Sequence, residues 1–229
     1  MTLRGMDVSN WQGDIAIGSM DVDFVVVKAT EDTDYVDPYC DRNVSKCKAS
    51  GKLFGFYHYG GSGDPVKEAD FFVDNCLGYF RSGIPVLDWE EGQSVSWVNR
   101  FVRRVHERTG IWPWIYANPW RFNQGGVEPN CMRWVASYPA VVSPTHKQAE
   151  GWDCPKTDGF VGCWQFCSDG RLPGYDGSLD LDLFYGTKEA WLKYAGYEED
   201  SAAHKEPDGN EGKSFTVENS EYKVTVVKK

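Results

Sequence analysis

The most informative absences in this 229-residue sequence concern long apolar runs and positive charge. No stretch approaches the roughly 20 apolar residues that a membrane-spanning helix needs, so the sequence predicts no membrane insertion. Lys and Arg number 24 against 34 Asp and Glu, which gives a formal net charge of −10. Because phosphate backbones are bound by clustered Lys and Arg, this acidic balance argues against a nucleic-acid partner.

Two further absences concern the N-terminus and the cysteines. Residues 1–7 lack an apolar signal core, so we expect synthesis in a cytoplasm without a signal peptide. The seven cysteines form no CxxC pair, which gives little support to a zinc or thioredoxin-like site. In a reducing cytoplasm we expect mostly free thiols that pack as small buried hydrophobes, while pairing of Cys154 with Cys163 stays open.

Aromatic side chains, by contrast, are abundant. They make up 15% of the sequence, with ten Trp and twelve Tyr residues, more than a core of this size needs. Trp and Tyr present an apolar face together with a polar tip. Sugar rings stack on such faces, so the composition is compatible with a carbohydrate-binding cleft.

Short apolar runs alternate with helical patterns along the chain, which is typical of βα units and a largely parallel sheet. A single α/β barrel routinely occupies about 200 to 250 residues, so the length suits this α/β class. The predicted strands are Met6 to Trp11, Asp23 to Thr30, Leu53 to Tyr59, Ile84 to Glu90, Trp112 to Asn118, Met132 to Tyr138 and Phe160 to Phe166. The predicted helices are Pro38 to Ser50, Pro65 to Arg81, Gln93 to Thr109 and Thr187 to Tyr194.

The helical pattern weakens in the second half of the chain. Residues 139–159 are loop-like and rich in Pro, Ser, Thr and Gly, so we predict an irregular (β/α) barrel, similar to a TIM barrel, over residues 1–196. Large apolar side chains are almost absent from 197–213, which predicts an exposed linker. Residues 214–229 alternate apolar and polar side chains and predict a short C-terminal β-hairpin, or the start of a further module.

Two acidic residues end the fourth predicted strand, in Ile84-Pro85-Val86-Leu87-Asp88-Trp89-Glu90. Successive strand side chains point to opposite faces, so Asp88 and Glu90 project to the same side with Cα atoms roughly 6.6 Å apart. Such a pair suits a glycosidase, because a neutral acid protonates the leaving oxygen while an ionised neighbour stabilises the developing positive charge. From this motif alone, a solvated strand end with two ordinary surface acids stays an alternative.

Further polar and aromatic residues stand at the carboxyl ends of the other predicted strands. In parallel α/β sheets, functional groups gather at these ends. Asp7 belongs to the first strand, and Asp180 lies in an alternating segment that also holds Asp182. The candidates for a sugar-binding wall, of which we expect about half to be core side chains, are Tyr57, Tyr59, Tyr116, Trp134 and Trp164. The sequence therefore predicts one mouth that combines acids with aromatic faces.

Six sequence blocks, taken in order, resemble the pattern of family 25 glycoside hydrolases. They are Gly5 to Gly13, Asp23 to Glu31, Gly55 to Tyr59, Pro85 to Glu90, Ile115-Tyr116 and Trp164-Gln165-Phe166. Their order over roughly residues 5–185 is far more specific than any one block. The resemblance implies a barrel-like lysozyme, often of phage endolysin type, that cleaves the bond between N-acetylmuramic acid and N-acetylglucosamine in peptidoglycan.

The resemblance also assigns roles to residues. The family's catalytic carboxylates fall on Asp7, Asp88, Glu90 and Asp180, although the family usually has Asn where this chain has Asp182. We expect Glu90 to be the general acid and an ionised Asp88 to stabilise an oxazolinium ion, formed when the substrate's own 2-acetamido oxygen attacks the anomeric carbon. Asp7 and Asp180 are expected to hold this pair and to keep Glu90 protonated by like-charge repulsion. Sequence spacing leaves a retaining or an inverting outcome open.

The expected partners are peptidoglycan glycan strands, and the expected chemistry requires no metal or organic cofactor. A phage endolysin would be made in the host cytoplasm and would act on the bacterial cell wall, with the C-terminal tail binding the wall or self-associating. A chitinase-like hydrolase and a non-catalytic glycan-binding module stay as alternatives. The four acids argue against the binding module, because a binder has no use for a carboxyl with a raised pKa.

Overall fold

The protein has two compact units, residues 1–198 and 199–229. The computed structural model describes residues 2–197, 214–218 and 223–227. The first unit contains the barrel and the cleft, and the second contains the C-terminal strands. The two units are therefore described separately.

A nine-stranded sheet that closes on itself forms the first unit. Its strands are β1 (Leu3–Val8), β2 (Phe24–Glu31), β3 (Tyr35–Val36), β4 (Leu53–Tyr59), β5 (Ile84–Asp88), β6 (Trp114–Ala117), β7 (Arg133–Ala136), β8 (Val161–Gly170) and β9 (Leu179–Phe184). The order is β1-β9-β8-β7-β6-β5-β4-β2-β3, and β1 also pairs with β2. That pairing closes eight strands into a barrel, while β3 pairs with the last two residues of β2.

The connections between strands are regular only in the first half of the barrel. The helices are α1 (Cys40–Ala49), α2 (Pro65–Cys76), α3 (Val95–Thr109), α4 (Pro119–Phe122), α5 (His146–Ala149) and α6 (Lys188–Tyr194). Only four-residue helices follow β6 and β7, and β9 runs antiparallel to both β8 and β1. The predicted irregular (β/α) barrel is therefore confirmed. Within the described residues, no helix combines the length and apolarity needed to cross a bilayer.

Strand alternation divides the core into two layers. Inside the barrel, Phe24, Trp114 and Phe184 pack around Trp191 of α6, whose ring centroid lies 4.5 Å from that of Phe24 and 5.2 Å from that of Trp114. The outward-facing side chains of the strands, such as Leu87 and Val25, pack against the helices. Because the interior aromatic cluster occupies the amino ends of the parallel strands, the carboxyl ends are left for polar side chains.

The predicted elements miss one barrel strand. The sequence pattern does not predict β9, because its inward face carries Asp180 and Asp182 where a buried strand normally has apolar side chains. Its outward face is apolar, with Leu179, Leu181 and Leu183 in the outer core layer. The acids of β9 therefore belong to the barrel interior rather than to a loop.

One predicted helix is too long. The helix predicted over Pro65 to Arg81 ends at Cys76. Leu77 is 60% exposed, so the apolar stripe stops there. Gly78 follows directly, and glycine disfavours a helix.

Strand boundaries differ from their predictions at several strands; the predicted strand Met6 to Trp11, for example, lies at Leu3–Val8. Two further differences have a common cause. The predicted strand Trp112 to Asn118 shortens to Trp114–Ala117. The last predicted strand extends beyond Phe166 to Gly170, because its end pairs with β9. Pairing partners, which the sequence pattern does not reveal, set both limits.

The second unit contains an antiparallel strand pair, β10 (Ser214–Glu218) and β11 (Lys223–Val227). Ser214 lies opposite Val227, and the register continues to Glu218 opposite Lys223. These strands coincide with the predicted C-terminal hairpin. The connecting residues 219–222, and the predicted linker beyond Tyr197, lie outside the described residues.

All seven cysteines are free thiols, and six of them are buried. Cys154 is half-buried and forms no disulfide with Cys163. Burial raises the pKa of Cys40 and of Cys47 to about 12, so both thiols are neutral at physiological pH. These buried cysteines pack as small hydrophobic side chains.

Barrel closure depends on a close approach between Gly5 of β1 and Phe24 of β2. A Cβ at Gly5 would lie 2.1–2.5 Å from three ring atoms of Phe24, which is itself buried against Trp191. We expect Gly5→Ala to lower the free energy of unfolding by about 1–3 kcal/mol in urea denaturation, because the ring has little room to move. Gly78→Ala is the control, since a Cβ there meets no atom within 4 Å. Equal stability of the two variants would contradict this account of closure.

Candidate active site

A cleft of about 450 Å³ opens at the carboxyl ends of the barrel strands. Its volume lies within the range of about 300–1,000 Å³ that is typical of ligand sites. The lining residues are Asp7, Ser9, Trp11, Gln12, Lys28, Tyr57, Tyr59, Asp88, Glu90, Tyr116, Trp134, Tyr138, Gln165, Ser168, Ser178 and Asp180. Acidic and aromatic side chains from distant parts of the chain thus meet in one space.

Asp88 and Glu90 lie at the end of β5 and in the turn that follows it. The backbone N–H of Gly60 donates to the carbonyl oxygen of Asp88 at 3.0 Å, and the N–H of Trp89 donates to that of Tyr116 at 2.9 Å. These bonds attach the turn to the ends of both neighbouring strands. Asp88 is 8% exposed, whereas Glu90 is exposed at the mouth of the cleft.

Asp7 is held by a hydrogen-bond network that spans three strands. Gln165 Nε2 donates to Asp7 Oδ2 at 2.6 Å. Gln165 Oε1 accepts from the hydroxyl of Tyr116 at 2.7 Å and from that of Tyr138. Because both hydroxyls donate to the amide oxygen, the amide nitrogen faces Asp7. The network fixes the carboxyl of β1 relative to β6 and β8.

Asp180 and Asp182 face the barrel interior from β9. Asp180 lies opposite Asp7 in the strand register and reaches the cleft. Asp182 lies deeper and is fully buried, with its Oδ1 accepting a hydrogen bond from Trp134 Nε1 at 2.9 Å. The strand therefore adds one carboxyl to the cleft and one beneath it.

Burial raises the pKa of every acid in the cleft. Burial, and then the charge of Asp180, raises the pKa of Asp7 well above its ordinary range. Burial, and then the charge of Glu90, does the same for the pKa of Asp88. Burial and the nearby Glu90 raise the pKa of Asp180 to about 6. Partial burial also raises the pKa of Glu90, while Arg121 opposes the shift. The cleft therefore favours protonated carboxyls at a pH where surface acids are ionised.

Two cations moderate this acidity, and the sequence analysis does not single out either of them. Lys28 lines the cleft, with its Nζ 4.9 Å from the ring centroid of Tyr59. Arg121 of α4 donates to the backbone carbonyl oxygen of Glu90. Both cations lower the pKa of Asp88. Lys28 lies two residues after the inward-facing Val26, so the alternation of strand side chains could have predicted that Lys28 faces inward.

Most residues of the predicted aromatic wall line the cleft, but Trp164 does not. Those in the cleft are Tyr57, Tyr59, Tyr116 and Trp134. Trp164 is 2% exposed, donates from Nε1 to the carbonyl oxygen of Ser137 at 2.7 Å, and packs near Trp152 and Phe166. Its neighbour Gln165 faces inward, so alternation sends Trp164 to the outer core layer.

Two aromatic residues outside the predicted wall also line the cleft. Trp11 is 85% exposed and follows β1, where Ser9 caps a short 3-10 turn. Tyr138 is 50% exposed and follows β7. Both residues lie just beyond the carboxyl end of a strand, and this position in the sequence could have predicted that they line the cleft. They extend the aromatic surface toward the solvent.

Among the described residues, no group of three or more His, Cys, Asp or Glu is arranged to hold a metal ion. His58, between two cleft tyrosines in sequence, faces the outer layer instead. Its Nδ1 lies 2.9 Å from Thr30 Oγ1, and its Nε2 lies 3.2 Å from Glu68 Oε2. Burial lowers the pKa of His58, so the ring belongs to the packed core as a neutral group.

Comparison with known proteins assigns the family. The sequence pattern of glycosyl hydrolases family 25 matches residues 6–175. The chain belongs to this family. Lysozyme M1 from Streptomyces globisporus is 29% identical over 218 residues, which cover 84% of this chain and 71% of that protein.

Two solved structures have similar folds. The crystal structure of the bacterial lysozyme from Streptomyces coelicolor has a TM-score of 0.71 and 28% identity, covering 84% of this chain and 96% of the other. The catalytic domain of endolysin ply40, from bacteriophage P40 of Listeria monocytogenes, has a TM-score of 0.67 and 25% identity, covering 86% and 98%. The family 25 barrel therefore extends over most of this chain.

Membership makes the protein a glycoside hydrolase of the lysozyme and muramidase type, with peptidoglycan as its substrate. An enzyme is thus favoured over a non-catalytic glycan-binding module. The family match ends at residue 175, before β9. The family match therefore does not include Asp180 and Asp182, and their positions are known from the structure.

Proposed function

We propose that the protein is a 1,4-β-N-acetylmuramidase that cleaves the bond between N-acetylmuramic acid and N-acetylglucosamine, with Glu90 as general acid and Asp88 stabilising a substrate-assisted intermediate. The convergence of Asp7, Asp88, Glu90 and Asp180 in one aromatic-lined cleft supports this proposal. Sugar rings would stack on the tyrosine and tryptophan faces. The acids would then act on the glycosidic bond held between those faces.

Glu90 is suited to donate the proton because it combines exposure with a raised pKa. Partial burial raises the pKa of Glu90, so a protonated fraction persists toward neutral pH. Its position at the mouth gives its carboxyl access to a leaving-group oxygen and, later, to water. Arg121, bonded to the Glu90 backbone, would hold this segment in place during both steps.

Asp88 is suited to receive an N–H group from the substrate. Its Oδ1 is buried and has no hydrogen-bond partner among the described residues. Burial keeps the pKa of Asp88 high in the free cleft, but a donated N–H stabilises the ionised form. The 2-acetamido group of the sugar supplies such an N–H. Asp88 would then orient this group and balance the positive charge of the oxazolinium ion.

The proposed reaction has two steps. Glu90 donates its proton to the glycosidic oxygen as the bond from the anomeric carbon to that oxygen breaks and the acetamido oxygen bonds to the anomeric carbon. The ionised Glu90 then removes a proton from water, whose oxygen attacks the anomeric carbon and reopens the oxazolinium ring. Two displacements at one carbon restore the original β configuration.

Asp7 and Asp180 are proposed to influence the protonation of the catalytic pair Asp88 and Glu90. Asp180 and Glu90 are close enough that Glu90 raises the pKa of Asp180. The pKa of Asp7 is raised by burial first, then by Asp180 and Asp182, and to a smaller extent by Asp88. Besides burial, the charge of Glu91 raises the pKa of Glu90, and an ionised Asp7 or Asp180 would further favour the protonated form of Glu90.

A chitinase-like hydrolase is the second candidate within the enzyme class. It would use paired acids and a 2-acetamido group in the same way, so the acids alone do not separate the two activities. The family membership favours the muramidase. The sugar that carries the new reducing end distinguishes them.

Glu90→Gln tests the proposed acid. We expect kcat on purified peptidoglycan to fall by about 100- to 10,000-fold, because an amide has no proton to donate. The thermal unfolding midpoint should change little, since the Glu90 side chain is exposed. Glu91→Gln is the matched control, as Glu91 is the exposed neighbour that accepts a hydrogen bond from Tyr59. Near wild-type turnover of Glu90→Gln would place the acid elsewhere.

The configuration of the first product tests the substrate-assisted step. We expect proton NMR to show the β anomer first, followed by slow mutarotation, because two displacements occur at the anomeric carbon. A soluble glycan fragment with a defined reducing end makes the signal resolvable. Initial appearance of the α anomer would rule out the oxazolinium intermediate and indicate direct attack by water.

We further propose that the protein acts as a phage endolysin, made in the host cytoplasm and released to the bacterial wall. Similarity to the catalytic domain of endolysin ply40 supports this role. Wall binding or self-association through residues 214–229 stays a prediction. Sedimentation of the chain with and without this segment, in the presence of purified walls, would distinguish the two.

A further inference from the structure

The segment that carries the proposed acid pair is attached at both ends to one residue of a neighbouring loop. We call residues 88–93 the acid segment. At its start, the backbone N–H of Gly60 donates to the carbonyl oxygen of Asp88 at 3.0 Å. At its end, the side-chain amide of Gln93 donates from Nε2 to the carbonyl oxygen of Gly60 at 2.6 Å and to that of Gly61 at 2.7 Å. The two ends are therefore joined through Gly60.

Gln93 is a buried polar side chain whose amide orientation is set by its neighbours. Both of its loop contacts are backbone carbonyl oxygens, which accept hydrogen bonds and cannot donate them, so the NH₂ group faces them. This group has two hydrogens and therefore matches the two acceptors. Its Oε1 is buried and has no hydrogen-bond partner among the described residues, so the donor half of the amide makes the connection.

A further hydrogen bond closes the acid segment from within. The indole Nε1 of Trp89 donates to the backbone carbonyl oxygen of Gln93 at 2.9 Å. Trp89 is itself buried, and its ring lies edge-on to that of Phe122, with the ring centroids 6.4 Å apart. Gln93 thus connects the buried side of the segment to the loop, while Glu90 lies exposed between Trp89 and Gln93 in sequence.

The supporting loop is rich in glycine and is held by side chains of two helices. Residues 60–63 are Gly-Gly-Ser-Gly, a sequence with little conformational preference of its own. Glu68 of α2 is fully buried and accepts from the backbone N–H groups of Gly61 at 2.7 Å and Gly63 at 2.9 Å. Trp97 of α3 donates from Nε1 to the carbonyl oxygen of Gly63 at 2.8 Å. The loop is therefore a fixed support for the acid segment.

We propose that Gln93 is a positioning residue for the hydrolysis reaction: by joining the end of the acid segment to Gly60, it fixes the carboxyl of Glu90 relative to that of Asp88. This role rests on the proposed function, because it takes its meaning from the two acids. Among the described residues, the cleft lining includes Asp88 and Glu90 but not Gln93. Gln93 therefore acts through the backbone of the segment and does not contact the sugar.

The exposed part of the acid segment needs this attachment. Residues 90–92 are all exposed, and Gly92 gives the backbone conformational freedom directly before Gln93. One long side chain, that of Arg121, holds the carbonyl oxygen of Glu90. The hydrogen bonds of Gln93 are shielded from water, where a hydrogen bond is electrostatically stronger, so they constrain the segment more firmly.

Gln93→Met is the test, because methionine is a flexible, unbranched side chain without a hydrogen to donate. We expect kcat on soluble peptidoglycan fragments to fall about 10- to 100-fold, since a shift of about 1 Å in a reacting group can cost about 100-fold in rate. KM should stay within about threefold of wild type, because the predicted aromatic faces in the cleft lie on β4, β6 and β7. A folded variant that keeps the wild-type kcat, or whose KM rises by more than its kcat falls, would overturn the proposal.

Trp97→Phe is the matched control, because it removes a hydrogen bond from the same loop at its other end. Trp97 donates to the carbonyl oxygen of Gly63, and its ring stacks on that of Phe101 with centroids 5.6 Å apart, a contact that phenylalanine can keep. We expect its kcat to stay within about threefold of wild type. Equal losses of kcat in the two variants would show that any loosening of the loop is sufficient and would overturn a specific role of Gln93.

Hydrogen exchange followed by NMR tests the attachment without reference to the reaction. The backbone N–H of Gly60 and the indole N–H of Trp89 are both bonded to the acid segment. In Gln93→Met we expect both to exchange at least about tenfold faster than in wild type, while the N–H of Gly63, which Glu68 holds, changes less than about threefold. Unchanged exchange at Gly60 would overturn the proposal even if the wild-type protein proved to be a muramidase. Failure of the proposed function would instead appear as a wild-type protein that releases no reducing ends from peptidoglycan, which is a separate result.

Discussion

A closed barrel sends every second side chain of each strand into a space with little water, and this constraint decides how the acids of this protein behave. At the amino ends of the strands, the space is filled by aromatic rings that pack around Trp191. At the carboxyl ends it holds Asp7, Asp88, Asp180 and Asp182. Since burial disfavours the charged form of a carboxyl, these acids retain protons that exposed acids would lose.

Exposure increases from the interior toward the mouth of the barrel. Asp182 is fully buried, Asp7 and Asp88 are 8% exposed, and Glu90 is exposed. A deep acid exchanges its proton with difficulty and is suited to hold a structure, whereas an acid at the mouth can donate to a substrate and recover a proton from water. The exposed position of Glu90 at the mouth thus corresponds to its proposed role.

The few donors inside the barrel set the orientation of these acids. Gln165 donates to Asp7, and Trp134 donates to Asp182. Gln165 is in turn aligned by another strand, because the hydroxyl of Tyr116 on β6 donates to its amide oxygen. The site therefore depends on closure of the whole barrel and not on a single motif, since β1, β6, β7, β8 and β9 each supply part of it.

Much of this site could be predicted from sequence where a strand had an ordinary pattern. Asp88 and Glu90 follow an apolar run, so their shared side could be inferred from a period of two residues. The prediction for Trp164 was wrong because a shift of one residue moves a side chain to the other face, and Gln165 occupies the inward position. The role of Asp182 was left undecided because a strand whose inward face carries acids lacks the usual apolar pattern of a buried strand.

Of the two cations near the cleft, Arg121 could not be assigned in the same way. Arg121 lies on the four-residue α4, and its contact with Glu90 depends on how two loops meet. The limits of β6 and β8 likewise depend on tertiary partners. Periodicity identifies which face a side chain takes, but it does not show which loop lies opposite.

We propose that these acids cleave the glycan strand after N-acetylmuramic acid. Mass analysis of borohydride-reduced fragments from purified peptidoglycan tests it most directly, because reduction marks the sugar that carries each new reducing end. We expect fragments that end in reduced N-acetylmuramic acid, with intact peptide stems. Fragments that end in reduced N-acetylglucosamine, or release of peptides without new reducing ends, would contradict it.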